Sequence, residues 1–529
     1  MTYRIGIDVG GTHTDAVILD EQNVLHAKTK VATTEDVGGG IQEAIRVLLA
    51  ESGIQPAQIA SAMLGTTHCT NAIVERKRLS KIGVIRIGAP ATDAIPPYSD
   101  WPQDLLEAIF VGSTIVHGGH EYTGQRLSRL DEEEIRRMGA QWRGKVKAVA
   151  VTSVFSPVDA SDELRAKQLL QEELGAEVAI SLSHEIGNIG LLERENATIL
   201  NASLTEAAQQ MVSGFQQSLS ANGIENAHIY LSQNDGTLMT AEYARRFPVL
   251  TIASGPTNSV RGASFLCGIE DALVVDVGGT TTDIGVLTKG FPRESSLVAQ
   301  IGGVRTNFRM PDLLSFGLGG GTRIRGLGAE LQVGPDSVGY RLSKEGLIFG
   351  GEVLTASDIA VAVGQAQIGD AQKVAHLPAE DVQLVFQKMT VMVEEAIDRM
   401  KTSAEPVPAI LVGGGSILLP DQLQGVSEVI RPENYEVANA IGVTIAQVSG
   451  QIDRIYANET RTREEILEDC QQLAIAEAVR AGALPETVKI VDIEEVPLAY
   501  LSGNAVRMRA KAVGELFPTS IHVGLKDRV

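Results

Sequence analysis

Two short runs hold the groups best suited to chemistry in this chain. Ile5–Asp15 reads IGIDVGGTHTD and Leu273–Asp283 reads LVVDVGGTTTD; seven of the eleven aligned pairs are identical, at an offset of 268 residues. In each run an apolar stretch ends in an aspartate, turns through two glycines and resumes in a second stretch. Glycines in such a turn let the backbone approach an oxyanion closely, and successive N–H groups form an anion-binding concavity. Gly10, Gly11, Gly278 and Gly279 are therefore candidate phosphate ligands, with the hydroxyls of Thr12, Thr14, Thr280, Thr281 and Thr282 as further donors. Asp8 and Asp276 stand next to the turns, where one or two carboxylates can hold a hydrated Mg²⁺ (or Mn²⁺) against phosphates. One D-x-G-G run could be a glycine hairpin and nothing more. Two copies in matching contexts argue for a paired phosphate site.

The elements that must position these residues are legible around them. Arg4–Val9, Thr14–Leu19 and Val24–Lys30 read as an antiparallel meander, followed by a helix with Glu35-Asp36 near its start and Ile41, Ala44, Ile45, Leu48 and Leu49 along one face. Ser61–Leu64 reads as a strand opening into Gly65-Thr66-Thr67, and a helix begins near Asn71. Strands at Ile82–Ile87, Val146–Val151 and Glu177–Ile180 then alternate with helices, which suits a five-stranded sheet covered on both faces. Leu191–Asn222 reads as one long helix. The second hairpin is followed by a helix at Ala379–Lys401, a strand at Ala409–Val412 and the triplet Gly413, Gly414 and Gly415, against which a base or ribose could lie. A helix near Val437–Val448 follows, and a helix and two strands after Arg461 read as a small appendage. The fold class is α/β.

Composition excludes several functions. The formal net charge of −21 disfavours nucleic acid and anionic membrane as partners. Three scattered cysteines support neither a disulfide framework nor a zinc ribbon or iron–sulfur cluster. There is no apolar run of membrane-spanning length and no signal-peptide pattern, so the cytoplasm is the expected location. His68-Cys69 lacks further ligands for a metal, and His117 and His120 across Gly-Gly read as a loop.

The order hairpin, hairpin, glycine triplet resembles the actin/sugar-kinase superfamily. It implies two RNase H-like (actin-like ATPase) domains with ATP in the cleft between them, here residues 1–190 and 191–460, followed by an α+β region at 461–529. Within that superfamily, Asp8–Asp15, Gly65–Lys77 (GTTHCTNAIVERK), Ser183–Ile186 (SHEI), Asp276–Asp283 and Gly317–Thr322 (GLGGGT) together resemble the hydantoinase/oxoprolinase A-subunit family. The resemblance implies ATP- and Mg²⁺-dependent activation of the carbonyl of a cyclic amide (a hydantoin, lactam or 5-oxoproline-like ring), or of a ketone, by phosphoryl transfer. It also implies a homo- or hetero-oligomer with a B-type subunit as possible partner. Asp8, Asp276 and Thr12 become the expected catalytic set, Gly413–Gly415 the adenosine loop, and Thr66, Thr67, Asn71, His184, Glu185, Gly319 and Gly320 the expected substrate residues. The chain is shorter than the long A subunits, and Ser254–Asn258 reads SGPTN, with Thr257 after the proline where a small residue is expected. Two alternatives remain open here: a small-molecule kinase, and a nucleotide-gated subunit without its own substrate chemistry.

Overall fold

The computed structural model describes residues 2–33, 37–187, 189–295, 299–307, 310–326, 331–456, 461–498 and 505–516. Glu35 and Asp36, read as the start of the first helix, lie outside the described residues. Two sheets repeat one topology. In the first, Leu25–Ala32, His13–Asp20 and Tyr3–Val9 pair antiparallel, and Tyr3–Val9 then pairs parallel with Ile59–Thr66, which pairs parallel with His228–Ser232. In the second, Phe291–Pro292, Thr282–Thr288 and Ala272–Val277 pair antiparallel, and Ala272–Val277 pairs parallel with Val407–Val412, itself parallel to Val426–Ile430. The duplication read from eleven residues is thus a duplication of a whole sheet order, that of an actin-like fold.

Burial follows the pairing. Ile59–Thr66 is buried along its whole length, as a strand covered on both faces must be, whereas the outer Leu25–Ala32 alternates half-buried and exposed positions. One face of the first sheet packs against the helix Val37–Ser52 through Ile41, Ala44, Ile45 and Leu48. The other face takes the helix Ala438–Ile445, whose Ala440 and Ile441 meet Val17 and Leu19. The second sheet packs the helix Ala379–Met400 on one face and Ser254–Cys267 on the other. Ser254–Cys267 and Ala438–Ile445 cross each other between the sheets. A Cβ on Gly262 would stand 1.8 Å from the Ala438 carbonyl oxygen, and one on Gly442 would stand 1.9 Å from that of Asn258, so only glycine permits this approach.

Three features differ from the sequence reading. The strands Ile82–Ala89, Phe110–His117, Ala148–Ser153 and Ala179–Leu182 form a separate four-stranded parallel sheet with its own core around Trp142, inserted into the first unit rather than extending its sheet. The long helix is two, Leu191–Ser203 and Thr205–Ala221, meeting at Leu204. The C-terminal αββ region is no free appendage. Its strand Val506–Gly514 pairs on one side with Lys489–Pro497 and on the other with Val448–Tyr456, which through Leu238–Thr240 completes a nine-stranded sheet that begins at Leu25–Ala32. That sheet crosses the boundaries read at 190 and 460. Its far strands are short or irregularly patterned, so alternation along the sequence did not announce where they pair.

Candidate active site

The two hairpins are built alike. Asp8 lies directly opposite Asp15 and Asp276 directly opposite Asp283 in their antiparallel pairs. The turns close identically, with Gly10 N–H donating to the His13 carbonyl at 3.0 Å and Gly278 N–H to the Thr281 carbonyl at 2.9 Å. Their tips meet across the molecule, the Thr12 and Thr280 hydroxyl oxygens standing 3.3 Å apart. Thr14 and Thr282 are fully buried and spend their hydroxyls on protein, Thr14 beside the Thr33 hydroxyl and Thr282 donating to the Leu318 carbonyl at 2.7 Å. The tips therefore present Thr12 and Thr280, while Thr14 and Thr282 brace the strands behind them.

Each hairpin aspartate is covered by a glycine from the neighbouring parallel strand. A Cβ on Gly65 would lie 2.2 Å from Asp8 Oδ1, and one on Gly413 would lie 2.2 Å from Asp276 Oδ1, with Gly413 also at a φ of +80°. Gly415 packs on the Gly278 carbonyl, and Gly414 faces the Lys30 side chain. The loop 317–321 supports the second tip from below: Gly320 and Gly321 donate to the carbonyls of Gly278 and Gly279 at 3.0 and 2.7 Å, and a Cβ on Gly319 would collide with the Thr280 backbone. Gly319 and Gly320, expected near substrate, therefore act on the hairpin.

The crossed helices deliver the polar groups that orient the acids. Asn258 donates to Asp8 Oδ1 at 3.0 Å, its own Oδ1 fixed by the Ser232 hydroxyl at 2.6 Å. Asn439 Nδ2 bridges Asp8 Oδ2 at 3.1 Å and Asp15 Oδ2 at 2.9 Å, and Ser259 donates to Asp276 at 2.5 Å. Lys30 pairs with Asp15 at 2.6 Å. Burial, reinforced by the charges of Asp15 and Asp276, pushes the Asp8 carboxyl up to about 7 despite the two amide donors. Burial also raises Asp276, and together with the Asp276 charge lifts Asp283 to about 6. Burial first, and the neighbouring carboxylates second, thus disfavour the charged form of these acids, a penalty that a divalent cation would relieve. Among the described residues no cluster of three or more His, Cys, Asp or Glu side chains could hold a metal alone. A site of one or two carboxylates completed by phosphate and water is what Mg²⁺ accepts, and Asp8 and Asp276 fit it. Sequence reasoning did not assign Asn258, Asn439, Ser259 or Lys30, although Asn258 closes the SGPTN run it singled out.

The remaining candidates divide. Thr66 lies opposite Val9 in the sheet, receives the His68 N–H on its hydroxyl at 3.2 Å and accepts the Ser254 hydroxyl on its carbonyl. Thr67 starts the helix His68–Glu75 and receives the Asn71 amide at 3.3 Å. Both threonines thus adjoin the first hairpin. Burial pushes the neighbouring Cys69 thiol up to about 11, which excludes a thiolate nucleophile at neutral pH. His184 and Glu185 go elsewhere. His184 Nδ1 pairs with buried Glu163 at 2.6 Å, Glu185 pairs with Arg246, and both line a cavity of 290 Å³ beside Asp235 and Tyr243.

Comparison with known proteins agrees with this geometry. Residues 4–174 match the hydantoinase/oxoprolinase N-terminal region, and residues 194–405 match hydantoinase/oxoprolinase. The caprolactamase subunit alpha of Pseudomonas jessenii is 29% identical over 392 residues, which are 68% of this chain and 54% of that protein. The acetophenone carboxylase gamma subunit of Aromatoleum aromaticum is 24% identical over 395 residues, 68% of this chain and 53% of that protein. The chain thus spans about half the length of the curated relatives it matches. In fold, it superposes on the ATP-dependent caprolactamase of Pseudomonas jessenii with a TM-score of 0.75 at 19% identity, covering 98% of this chain and 88% of that one. Nucleotide-free acetone carboxylase gives 0.69 at 18% identity over the same shares. With both family regions matched in order over well more than half of its length, the chain belongs to the hydantoinase/oxoprolinase family.

Proposed function

We propose that this protein uses ATP and Mg²⁺ to activate the carbonyl oxygen of a cyclic amide by phosphoryl transfer, so that water can open the ring. The observation that carries the reading is the pair of matched hairpins meeting at Thr12 and Thr280, each backed by an aspartate, buried at Asp8 and half-buried at Asp276. Gly10, Gly11 and Thr12 receive the phosphates from one side and Gly278, Gly279 and Thr280 from the other, while Gly413–Gly415 receive adenosine. Asp8 and Asp276 would hold a magnesium ion, which when bound would supply the charge neutralisation that phosphoryl transfer needs. Asn258 and Asn439 keep the Asp8 carboxylate oriented, with both of its oxygens occupied by amide donors. The backbone donors of the two turns act by position, favouring the charge that develops on the transferring group.

The relatives give the reading its substrate class and its alternative. One is a caprolactamase and another an acetophenone carboxylase, and both are subunits. A partner chain of the B type therefore completes the proposal. Incubating the purified chain with MgATP and a panel of lactams, hydantoins and ketones, while following ADP and ring opening, tests it. Lactam- or hydantoin-stimulated ADP release with ring opening is expected, with or without an added B-type subunit. A stable phosphorylated product would instead make the protein a kinase. Among the described residues no helix is long and apolar enough to cross a membrane.

A further inference from the structure

Two parallel sheets bring the carboxyl ends of their strands to one cavity of 290 Å³. From the nine-stranded sheet, His228–Ser232 runs parallel to Ile59–Thr66, and Gln233, Asn234 and Asp235, which follow it directly, line the cavity. From the inserted sheet, Ala179–Leu182 leads through Ser183 into His184, which lines it too. Ligands of parallel α/β sheets lie beyond the carboxyl ends of the strands. The cavity is also tied to the first hairpin. Ser232, the last residue of its strand, donates to Asn258, and Asn258 donates to Asp8.

His184 is the group in this cavity equipped for chemistry. Glu163, fully buried in the first turn of the helix Ser161–Leu174, accepts from the Ser153 N–H at 2.7 Å and the Ser183 hydroxyl at 2.5 Å. It also accepts the His184 N–H at 3.1 Å and pairs with His184 Nδ1 at 2.6 Å. Buried Arg194 braces the same turn, donating to the Ser183 hydroxyl at 3.0 Å and the Ser153 carbonyl at 2.7 Å. Burial alone would raise Glu163, but the hydrogen bond and charge of His184, with Ser183 and Arg194, hold its carboxyl below the ordinary range. An anion at 2.6 Å keeps the proton of the neutral imidazole on Nδ1 and leaves the lone pair on Nε2. With Nδ1 spent on Glu163 and the side chain still 15% exposed at the cavity wall, Nε2 is the atom a bound molecule meets. A buried carboxylate that orients a histidine in this way makes it a general base.

We infer that His184 is the general base of the reaction and Glu163 its positioning residue, the cavity holding a carbonyl compound with an ionisable hydrogen beside the carbonyl. The step it serves rests on the phosphoryl-transfer reading above; the base does not. As the carbonyl oxygen bonds to the γ-phosphorus of ATP, the bond from that phosphorus to ADP breaks and ADP leaves with the electron pair. His184 Nε2 takes the proton from the ring N–H of a lactam, or from the α-carbon of a ketone. The pair that held the proton becomes a C=N or C=C bond. A lactam methylated at nitrogen lacks that N–H.

Two measurements on the full chain separate the base from the step. Deuterium incorporation at the α-carbon of cyclopentanone in D₂O, followed by NMR, needs a base but no phosphoryl transfer. The wild type is expected to exceed the buffer rate about 100-fold, within the range a positioned base supplies. His184→Ala and His184→Gln should return exchange to the buffer rate, and added imidazole should restore part of it in His184→Ala. Glu163→Gln should lower exchange about tenfold or more with little change in KM, and imidazole should not rescue it. MgATP titration of the same samples reports the fold. In parallel, lactams are expected to stimulate ADP release and their N-methyl derivatives to leave it unchanged. If exchange depends on His184 while no lactam stimulates ADP release, the base stands and the amide reading falls. If lactams stimulate ADP release equally in the wild type and in both His184 variants, the amide reading stands and the base falls. Exchange at the buffer rate in the wild type, or undiminished in the His184 variants, also overturns it.

Discussion

At the scale of single residues, Asp8 and Asp276 show one device built twice from different parts. Each lies one residue before the end of its strand, faces a second aspartate across its hairpin, and is overlain by a glycine in or just after the adjoining parallel strand. The donors differ: two asparagine amides hold Asp8 and a serine hydroxyl holds Asp276. Replacing the covering glycine puts a methyl group within 2.2 Å of a carboxylate oxygen, too close for any side chain to tolerate without movement. Gly65→Ala and Gly413→Ala are therefore expected to cost about 1–3 kcal/mol of stability and to weaken nucleotide binding. Urea unfolding and calorimetric titration with MgATP measure both effects. Gly11→Ala is the control, because a Cβ there meets nothing within 4 Å; it should leave stability within about 0.5 kcal/mol.

At the scale of elements, the crossed helices join the two sheets and carry the asparagines to the acids. A side chain at Gly262 would collide with the backbone carbonyl of Ala438, which cannot rotate away. Gly262→Val should force the helices apart, lower the melting temperature and release Asn258 and Asn439 from Asp8. A second element-level link ties the C-terminal strand to the first sheet: Lys511 of Val506–Gly514 pairs with buried Asp235 at 2.8 Å. Burial alone would raise Asp235, but the charge and hydrogen bond of Lys511, with Thr237, hold it down at about 2. The folded value lies below the unfolded one, so the carboxylate contributes stability in full above about pH 4–5 and loses it as pH falls towards 2. The contribution is about 2 kcal/mol. Lys511→Met removes the charge partner and leaves buried Asp235 only the neutral donors Thr237, Ser449 and Gln451, with an expected loss of about 3 kcal/mol at neutral pH. Its carboxyl then rises from about 2, so the deficit should narrow as pH is lowered through the carboxylate range. Urea unfolding at pH 7 and pH 4 reads the difference.

At this scale, too, the limits of sequence reading are physical. The hairpins were legible because aspartate, glycine pair and threonines are local and duplicated. Leu25–Ala32 was legible because one of its faces is exposed and its pattern alternates. Leu238–Thr240 has three residues, and Val448–Tyr456 opens with three buried positions directly after a helix, so neither carries a periodicity of its own. Asn439 reaches Asp8 from 431 residues away, and only the helix crossing makes them neighbours. Ser183–Ile186 was read from its residue types, but whether His184 meets substrate or Glu163 depends on the inserted sheet, which no local pattern specified.

At the scale of the whole molecule, two actin-like units hold one hairpin each and meet at Thr12 and Thr280. We propose that the two hairpins work as one clamp on the nucleotide. Calorimetric titration of MgATP into the wild type, Asp8→Ala, Asp276→Ala and the double variant tests it most directly. Each single substitution should weaken binding about tenfold or more, and the double variant should lose much less than the sum of the two, because both acids serve one metal-bound nucleotide. Unchanged affinity in both single variants, or losses that add in full, would contradict a shared clamp.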